Sequence, residues 1–183
     1  MTDERQSDWP VWATEAVEIK AADPAWERQG EEEAERLGKL LAPYGVREVE
    51  HIGSTSVPGL PAKPILDLMA KIPSYDELNA VIERLRQEDW HYVPAELDGH
   101  GWRRFFVKVE RDRRKCHLHL MQEHEERWDV QLRFRDLMRR RPNAVERYGK
   151  LKRELAERYN NDREAYTRAK SEFIESVLAD VDS

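Results

Sequence analysis

Apolar residues along the chain follow two different periods, and the changes between these periods divide it into elements. Short runs rich in β-branched, aromatic and other apolar residues predict strands. These runs are 16–19, 46–52, 65–72, 91–93, 105–109 and 116–121. A charged segment separates the last two runs, which predicts a hairpin.

Elsewhere the apolar residues recur every three or four positions, which predicts helices. One helix is expected after Asp23–Pro24, because Asp suits an N-cap and Pro the first helical position. Ser74–Glu77 and Asn161–Glu164 resemble capping boxes ahead of two further helices. After Glu123 the helical pattern continues to the end, with a break at Pro142. This order predicts an α/β (α+β) fold, in which helices flank a small mixed sheet and further helices form the C-terminal part.

The same pattern predicts the organisation of the chain into domains. Residues 1–15 show neither period and predict a flexible N-terminal tail, and residues 16–183 predict a single domain. A length of 183 residues is ordinary for one domain with one core.

Composition narrows the setting and the partners. No apolar run approaches the roughly 20 residues of a membrane span, so no membrane partner is expected. The polar N-terminus and a single cysteine, Cys116, which allows no internal disulfide, together predict a cytoplasmic protein. A net charge of −6 disfavours nucleic acid as a partner. Basic tracts at 103–115 and 133–153 either hold phosphates or form solvated helix faces.

The segment that carries candidate chemistry starts at the end of run 46–52, in Gly53–Ser54–Thr55–Ser56. Such a turn either forms an anion-binding nest of hydroxyl and amide groups or is an ordinary Ser/Thr turn. Asp67 follows within run 65–72, where an unpaired carboxylate is costly to bury. It therefore meets a metal ion, a cation or a hydrogen-bond donor, or lies at the rim of the sheet. We expect the strand that ends in Gly53–Ser54 to lie beside the strand of Asp67.

Two histidines are the next candidates. His117 and His119 lie two positions apart on a predicted strand and therefore share one face. We expect that face to be the face of Asp67, with Cys116 packed on the other as a small apolar residue. The pair serves in metal ligation, proton transfer or phosphate contact, or it is simply polar surface on a half-buried sheet.

Three basic residues, Lys63, Arg104 and Lys108, are candidate phosphate contacts. Arginine suits bidentate contact and lysine supplies a point charge. Solvent exposure or ion pairing accounts for all three equally well.

Several short segments form a recognisable set, namely 23–26, 50–60, 62–67, 117–120, 134–136 and 162–170. Together they resemble the GrpB family, and the resemblance extends from about residue 16 to near the C-terminus. That family is similar to nucleotidyltransferases, in which Gly–Ser is followed on the next strand by Asp-x-Asp or Asp-x-Glu.

The resemblance implies Mg²⁺-dependent binding of a nucleotide or another phosphate-bearing small molecule, and nucleotidyl transfer to a small acceptor. The resemblance implies that Asp67 is a metal ligand and that His117 and His119 are ligands or proton relays. It also implies a phosphate site formed by Gly53, Ser54, Thr55, Lys63 and Arg104.

Met69 departs from the pattern, because it occupies the position of the second carboxylate. A thioether is a poor ligand for Mg²⁺, which prefers oxygen. We therefore expect nucleotide binding at Asp67 with limited transfer, and higher activity for Met69→Asp if the thioether only blocks a second metal. The alternative is a non-catalytic module that binds a nucleotide, coenzyme A or a protein.

Overall fold

The structure, a computed structural model, describes residues 10–16 and 18–179, without the side chain of Arg163. The strands in this part of the chain are β1 (Val49–Ile52), β2 (Leu66–Ile72), β3 (Trp90–Val93), β4 (Arg104–Glu110) and β5 (Arg113–Gln122). The helices are α1 (Ala25–Leu41), α2 (Leu78–Arg86), α3 (Ala95–Asp98), α4 (Arg127–Arg140), α5 (Pro142–Arg158) and α6 (Arg163–Ala179). Short 3₁₀ turns are formed by Val11–Thr14, Ala42–Tyr44 and Ser54–Ser56.

The five strands form one mixed sheet in the order β1-β2-β5-β4-β3. Strands β2 and β5 are parallel, and the other neighbours are antiparallel. Parallel neighbours need a long crossover, and here the connection contains α2, β3, α3 and β4. The pairing places Asp67 directly opposite His117, although the two are 50 residues apart in the chain.

One face of the sheet is apolar and packs against α1 and α2. Its core residues from β2 and β5 are Leu66, Leu68, Ala70, Ile72, Cys116, Leu118 and Leu120. The helices contribute Trp26, Leu37, Leu41, Val81 and Leu85 to the same cluster. The predicted inward packing of Cys116 is confirmed, since this residue is 1% exposed.

The opposite face carries the polar candidates and lies near the C-terminal helices. Helices α4, α5 and α6 pack together around a second core, which also takes in the connection after β1. This cluster contains Val57, Leu60, Phe134, Leu137, Met138, Ala144, Tyr148 and Val177. The expected mixed sheet with flanking and C-terminal helices is thus confirmed.

Two of the predicted strands differ from the structure. In the run 16–19, Val17 lies outside the described residues and the others form no strand. Instead Lys20 makes an isolated bridge with Ala62, because the N–H of each donates to the carbonyl of the other, at 2.8 and 3.1 Å. Strand β1 begins only at Val49, after the left-handed Gly45 (φ 85°) ends the preceding turn.

Three side chains were predicted to cap the starts of helices, and the structure bears out one of them. Asp23 Oδ1 accepts from the Ala25 N–H at 2.9 Å, as expected at the start of α1. Ser74 forms no capping box; its hydroxyl donates to Asp76 at 2.8 Å, and α2 begins without a side-chain cap. Ahead of α6 the acceptor is Asp162, which receives the Ala165 N–H at 2.9 Å, and not Asn161.

The predicted flexible tail lies partly outside the described residues, which begin at 10. Within its described part, Val11–Thr14 form a 3₁₀ turn against β5. Residues 10–15 thus include an ordered contact that the pattern did not predict.

Candidate functional site

Gly53 brings the end of β1 against Asp67. Ile52, the last residue of β1, pairs with Asp67 of β2, and Gly53 follows with φ 72° and ψ −170°. A β-carbon at Gly53 would lie 2.8 Å from Asp67 Oδ2. The predicted juxtaposition of Gly53–Ser54 with Asp67 on neighbouring strands is therefore confirmed.

The hydroxyls of the following turn are used inside the protein. Ser56 Oγ donates to the Gly53 carbonyl at 2.6 Å. Thr55 is 4% exposed, and its Oγ1 lies 2.9 Å from His51 Nε2 and 3.4 Å from the Ile65 carbonyl. The hydroxyl of Thr55, a predicted phosphate contact, thus fixes the turn instead.

Ser54 connects this turn to helix α5. Its side chain lies beside the hydroxyl of Tyr148 and partly opposes the effect of burial on the pKa of that phenol. Burial raises the pKa of Tyr148, so this phenol stays protonated. Tyr148 in turn stacks on Phe173 of α6, with ring centroids 4.6 Å apart. The C-terminal helices therefore reach the Gly53–Ser54 turn directly.

Two arginines of α4 hold the backbone on either side of Gly53. Arg135 Nη1 donates to the His51 carbonyl at 3.0 Å, and Arg139 Nε donates to the Ser56 carbonyl at 2.9 Å. From the other side, Gly30 of α1 leaves room for the His51 ring, since a β-carbon there would lie 2.1 Å from Nδ1. The turn is thus clamped between α1 and α4.

Asp67 receives both predicted histidines. His117 Nδ1 lies 3.2 Å and His119 Nε2 lies 3.5 Å from the same oxygen, Asp67 Oδ1. Burial by itself would raise the pKa of Asp67, but the hydrogen bonds from the two imidazoles hold this pKa well below its usual range. The carboxylate is therefore ionised, and 32% of its side chain is exposed. The prediction that both imidazoles face Asp67 is confirmed.

Arg114 fixes the orientation of His117. Its Nη1 donates to His117 Nε2 at 3.4 Å, so the proton of the neutral ring is on Nδ1 and points at Asp67. Burial, opposed by Asp67 and assisted by Arg114, lowers the pKa of His117 to about 4. Arg114 also donates to the carbonyls of Trp12 (2.9 Å) and Ala13 (3.3 Å) in the N-terminal 3₁₀ turn.

Arg103 fixes the orientation of His119 in the same way. Its Nη1 donates to His119 Nδ1, and its guanidinium binds Asp98 through two bonds of 2.6 and 2.9 Å. Burial lowers the pKa of His119, while Asp67 opposes and Arg103 assists this shift. Both imidazoles are therefore neutral donors to Asp67, which favours a positioning role over the transfer of a proton.

The predicted phosphate contact Arg104 lies on the wrong face for this site. It pairs with Leu120, so its side chain shares the face that packs on α1 and α2. The guanidinium lies 4.3 Å from the centre of the Tyr75 ring. Lys108 shares that face and pairs with Glu33 at 2.7 Å. Sequence reasoning missed Arg103, one residue before Arg104, as the arginine that reaches the site.

Met69 is fully buried at the position of the second carboxylate. It packs with Ile52, Met121 and Trp128. Among residues 10–16 and 18–179, no group of three or more His, Cys, Asp or Glu side chains is arranged to hold a metal ion. A cation at Asp67 would therefore need most of its oxygen ligands from a bound phosphate and from water.

Lysines from three segments lie beside the rings of Tyr166 and Tyr148. Lys63, a predicted phosphate contact, has its Nζ 4.4 Å from the centre of the Tyr166 ring. Lys170 Nζ lies 4.8 Å from that ring, and Lys152 Nζ lies 5.0 Å from the Tyr148 ring. Lys152 was missed, although it is four residues after Tyr148 on the same helical stripe, which is the signal that could have found it.

These features define a mixed α/β protein with a clamped glycine turn beside an ionised carboxylate. The chain belongs to the GrpB family, because the family model described as GrpB protein matches residues 16–180. The chain is 30% identical to GrpB from Enterococcus faecalis, whose crystal structure it matches with a TM-score of 0.78 over 89% of this chain and 96% of that one.

Curated relatives agree with this assignment. The chain is 39% identical to a UPF0157 protein of Pseudomonas aeruginosa, over 93% of this chain and 69% of that protein. It is 31% identical to the UPF0157 protein YqkA of Bacillus subtilis, over 88% of this chain but only 46% of that protein. No helix among the described residues combines the length and apolar character that crossing a membrane requires.

Proposed function

We propose that this GrpB-family chain is nucleotidyltransferase-like and binds a nucleoside triphosphate together with Mg²⁺ at Asp67. Transfer of a nucleotidyl group to a small acceptor is the corresponding reaction. The observation that carries the proposal is the contact between Asp67 and Gly53. An ionised, partly exposed carboxylate lies against a glycine turn that a larger residue could not form.

The charges around Asp67 support this role. Both imidazole bonds end on Oδ1, whereas Oδ2 lies beside Gly53. Because His117 and His119 are neutral, they keep the carboxylate ionised without cancelling its negative charge. Oδ2 is thus the hard oxygen that we assign to Mg²⁺, which supplies charge neutralisation of the phosphates when bound.

The other residues of the candidate site have supporting roles. Gly53 lets the backbone approach a phosphate closely, and Ser54 contributes a hydroxyl beside Tyr148. Arg103 and Arg114 keep the two imidazoles directed at Asp67. None of these contacts needs a second carboxylate.

Buried Met69 favours a second candidate, a non-catalytic module for a nucleotide, coenzyme A or a protein. Two-metal transfer needs further oxygen ligands, and this position offers a thioether within an apolar cluster. The transferase and the non-catalytic module differ in whether they turn over a bound nucleotide. Release of pyrophosphate in the presence of trial acceptors favours transfer, and tight binding without release favours the module.

Calorimetry with Mg²⁺ and several nucleoside triphosphates tests the binding step. We expect Asp67→Asn to weaken Mg²⁺-dependent binding roughly 10- to 100-fold, the scale found for residues that support metal sites. Asp112→Asn is the matched control, because Asp112 is exposed in the β4–β5 turn with φ 59°, a conformation that Asn tolerates. If the wild type binds no triphosphate, or if Asp67→Asn binds as well as the control, the role of Asp67 is wrong.

A further inference from the structure

Lys152 is a buried lysine at the edge of this site. It is 1% exposed, on the face of α5 that also carries Tyr148 and Leu155. Its Nζ has no hydrogen-bond partner among the residues that the structure describes. Buried polar groups in folded proteins are ordinarily hydrogen-bonded, and burying an unpaired ammonium costs several kcal/mol. Stability alone gives no reason for a lysine here.

The neighbours of Lys152 add to this cost. Lys63 and Lys170, from two other segments, flank the ring of Tyr166. Burial first, and then the charges of Lys170 and Lys63, lower the pKa of Lys152 well below its usual range, while Asp67 opposes the shift. The charges of Lys63 and Lys170 thus disfavour protonation of Lys152, and an anion bound beside its Nζ would favour it.

The packing of α5 places this cluster next to the glycine turn. Gly149 lies against Pro61, so that a β-carbon there would be 3.0 Å from Pro61 Cδ. One residue earlier, Tyr148 lies beside Ser54, whose side chain influences the pKa of the phenol. The wall of the site therefore continues from Gly53–Ser54 through Tyr148 to Lys152.

We propose that Lys152, with Lys63 and Lys170, binds the terminal phosphates of a polyphosphate ligand. We favour ligands with two or more linked phosphates, because the three lysines come from three separate segments and can contact more than one phosphate. Lysine ammonium groups are common point-charge ligands of phosphate. The proposal rests on the proposed function for the identity of the ligand as a nucleotide, but the lysine cluster itself needs neither a base nor a metal ion.

Inorganic tripolyphosphate in the presence of a chelator is therefore the probe, with affinity measured by calorimetry and by thermal shift. We expect binding by the wild type, weaker binding of orthophosphate, and a roughly 10- to 100-fold loss of tripolyphosphate affinity in Lys152→Met. That is the scale of one hydrogen bond to a charged group. Lys150→Met, on the exposed side of the same helix, should bind as the wild type does.

Lys152→Met removes an unpaired buried amine and keeps the approximate length of the side chain, so it should fold, and circular dichroism checks this. Equal affinity in the two lysine variants, or no binding by the wild type, overturns the proposal. Nucleotide binding that needs Asp67 but not Lys152 also overturns it and leaves the proposed function standing. Tripolyphosphate binding that needs Lys152, in a chain that binds no nucleotide with Mg²⁺, supports the lysine site and overturns the proposed function.

Discussion

Gly53 and Asp67 occupy space that two ordinary residues could not share. The glycine has a left-handed φ of 72° with extended ψ, a region that is essentially restricted to glycine. Its missing side chain would lie 3.0 Å from Asp67 Cβ as well as 2.8 Å from Oδ2. Two independent features therefore require glycine at position 53, namely the backbone conformation and the proximity of the Asp67 carboxylate.

Gly53→Ala should consequently destabilise the protein more than the same change at Gly59. Gly59 also has a positive φ, 78°, but no atom lies within 4 Å of its would-be β-carbon. We expect a loss of about 1 kcal/mol for Gly59→Ala, from backbone strain alone. For Gly53→Ala we expect about 3 kcal/mol or more, because strain and displacement of Asp67 add. Urea denaturation measures the free energy of unfolding of both variants. Equal losses would show that Asp67 moves aside without a measurable loss of stability.

Met69→Asp should unfold the protein before it adds a metal ligand. The side chain is fully buried among Ile52, Met121 and Trp128. An unpaired carboxylate there should cost about 3–5 kcal/mol, whereas Met69→Leu should cost less than about 1.5 kcal/mol. The rise in activity expected from the sequence is thus replaced by a loss of stability. A Met69→Asp variant with wild-type stability in urea would mean that water or a cation reaches this position.

His51 should make stability depend on pH below neutrality. Its burial lowers its pKa from 6.5 to about 4, with Asp67 opposing and the arginines of α4 assisting. Between these values the unfolded chain binds a proton that the native chain does not, so stability rises with pH in this window and levels off above it. Acidification from about pH 7.5 to about pH 5 should lower the free energy of unfolding by roughly 2 kcal/mol through His51 alone.

The measurement is the free energy of unfolding at the two pH values in His51→Gln and in His124→Gln, a change at an exposed histidine. His51→Gln should lose less stability on acidification than the His124→Gln control. The same loss in both variants would place the proton uptake elsewhere.

Cys116 should be unreactive in the native protein. Burial, with Glu33 assisting and Lys108 opposing, raises the pKa of its thiol to about 12, and the thiolate is the reactive form. We expect no labelling by a thiol reagent near pH 8, and complete labelling of one thiol in urea. Lys150→Cys, at an exposed position, is the positive control. Rapid labelling of the native wild type would show that the sheet face against α1 opens readily.

The alternation of apolar and polar residues predicted part of the centre of the site. The runs that became β2 and β5 were unambiguous, and a period of two necessarily sent His117 and His119 to one face. That this face is also the face of Asp67 was an expectation that alternation alone did not settle, because the run that became β2 is apolar at positions on both faces. The pairing of β2 with β5, in contrast, joins distant segments and has no local signal.

The choice between Arg103 and Arg104 shows why the rest was not predictable. Adjacent residues on a strand point to opposite faces, so an error of one residue in register exchanges them. The start of β4 at Arg104 and its pairing with Leu120 decide the matter. Lys152 differs, because its place on the stripe of Tyr148 indicates the buried face of α5, and only the docking of α5 on the Pro61 segment was not predictable.

Arg114 has a practical consequence for anyone who makes variants or fusions of this chain. It ties the carbonyls of Trp12 and Ala13 to the imidazole that orients Asp67. A deletion that removes Trp12 and Ala13, or an affinity tag that displaces this turn, acts only two side chains away from the carboxylate. Such an alteration belongs with the substitutions at the candidate site in any comparison of binding, and a tag at the other end of the chain is the safer reference.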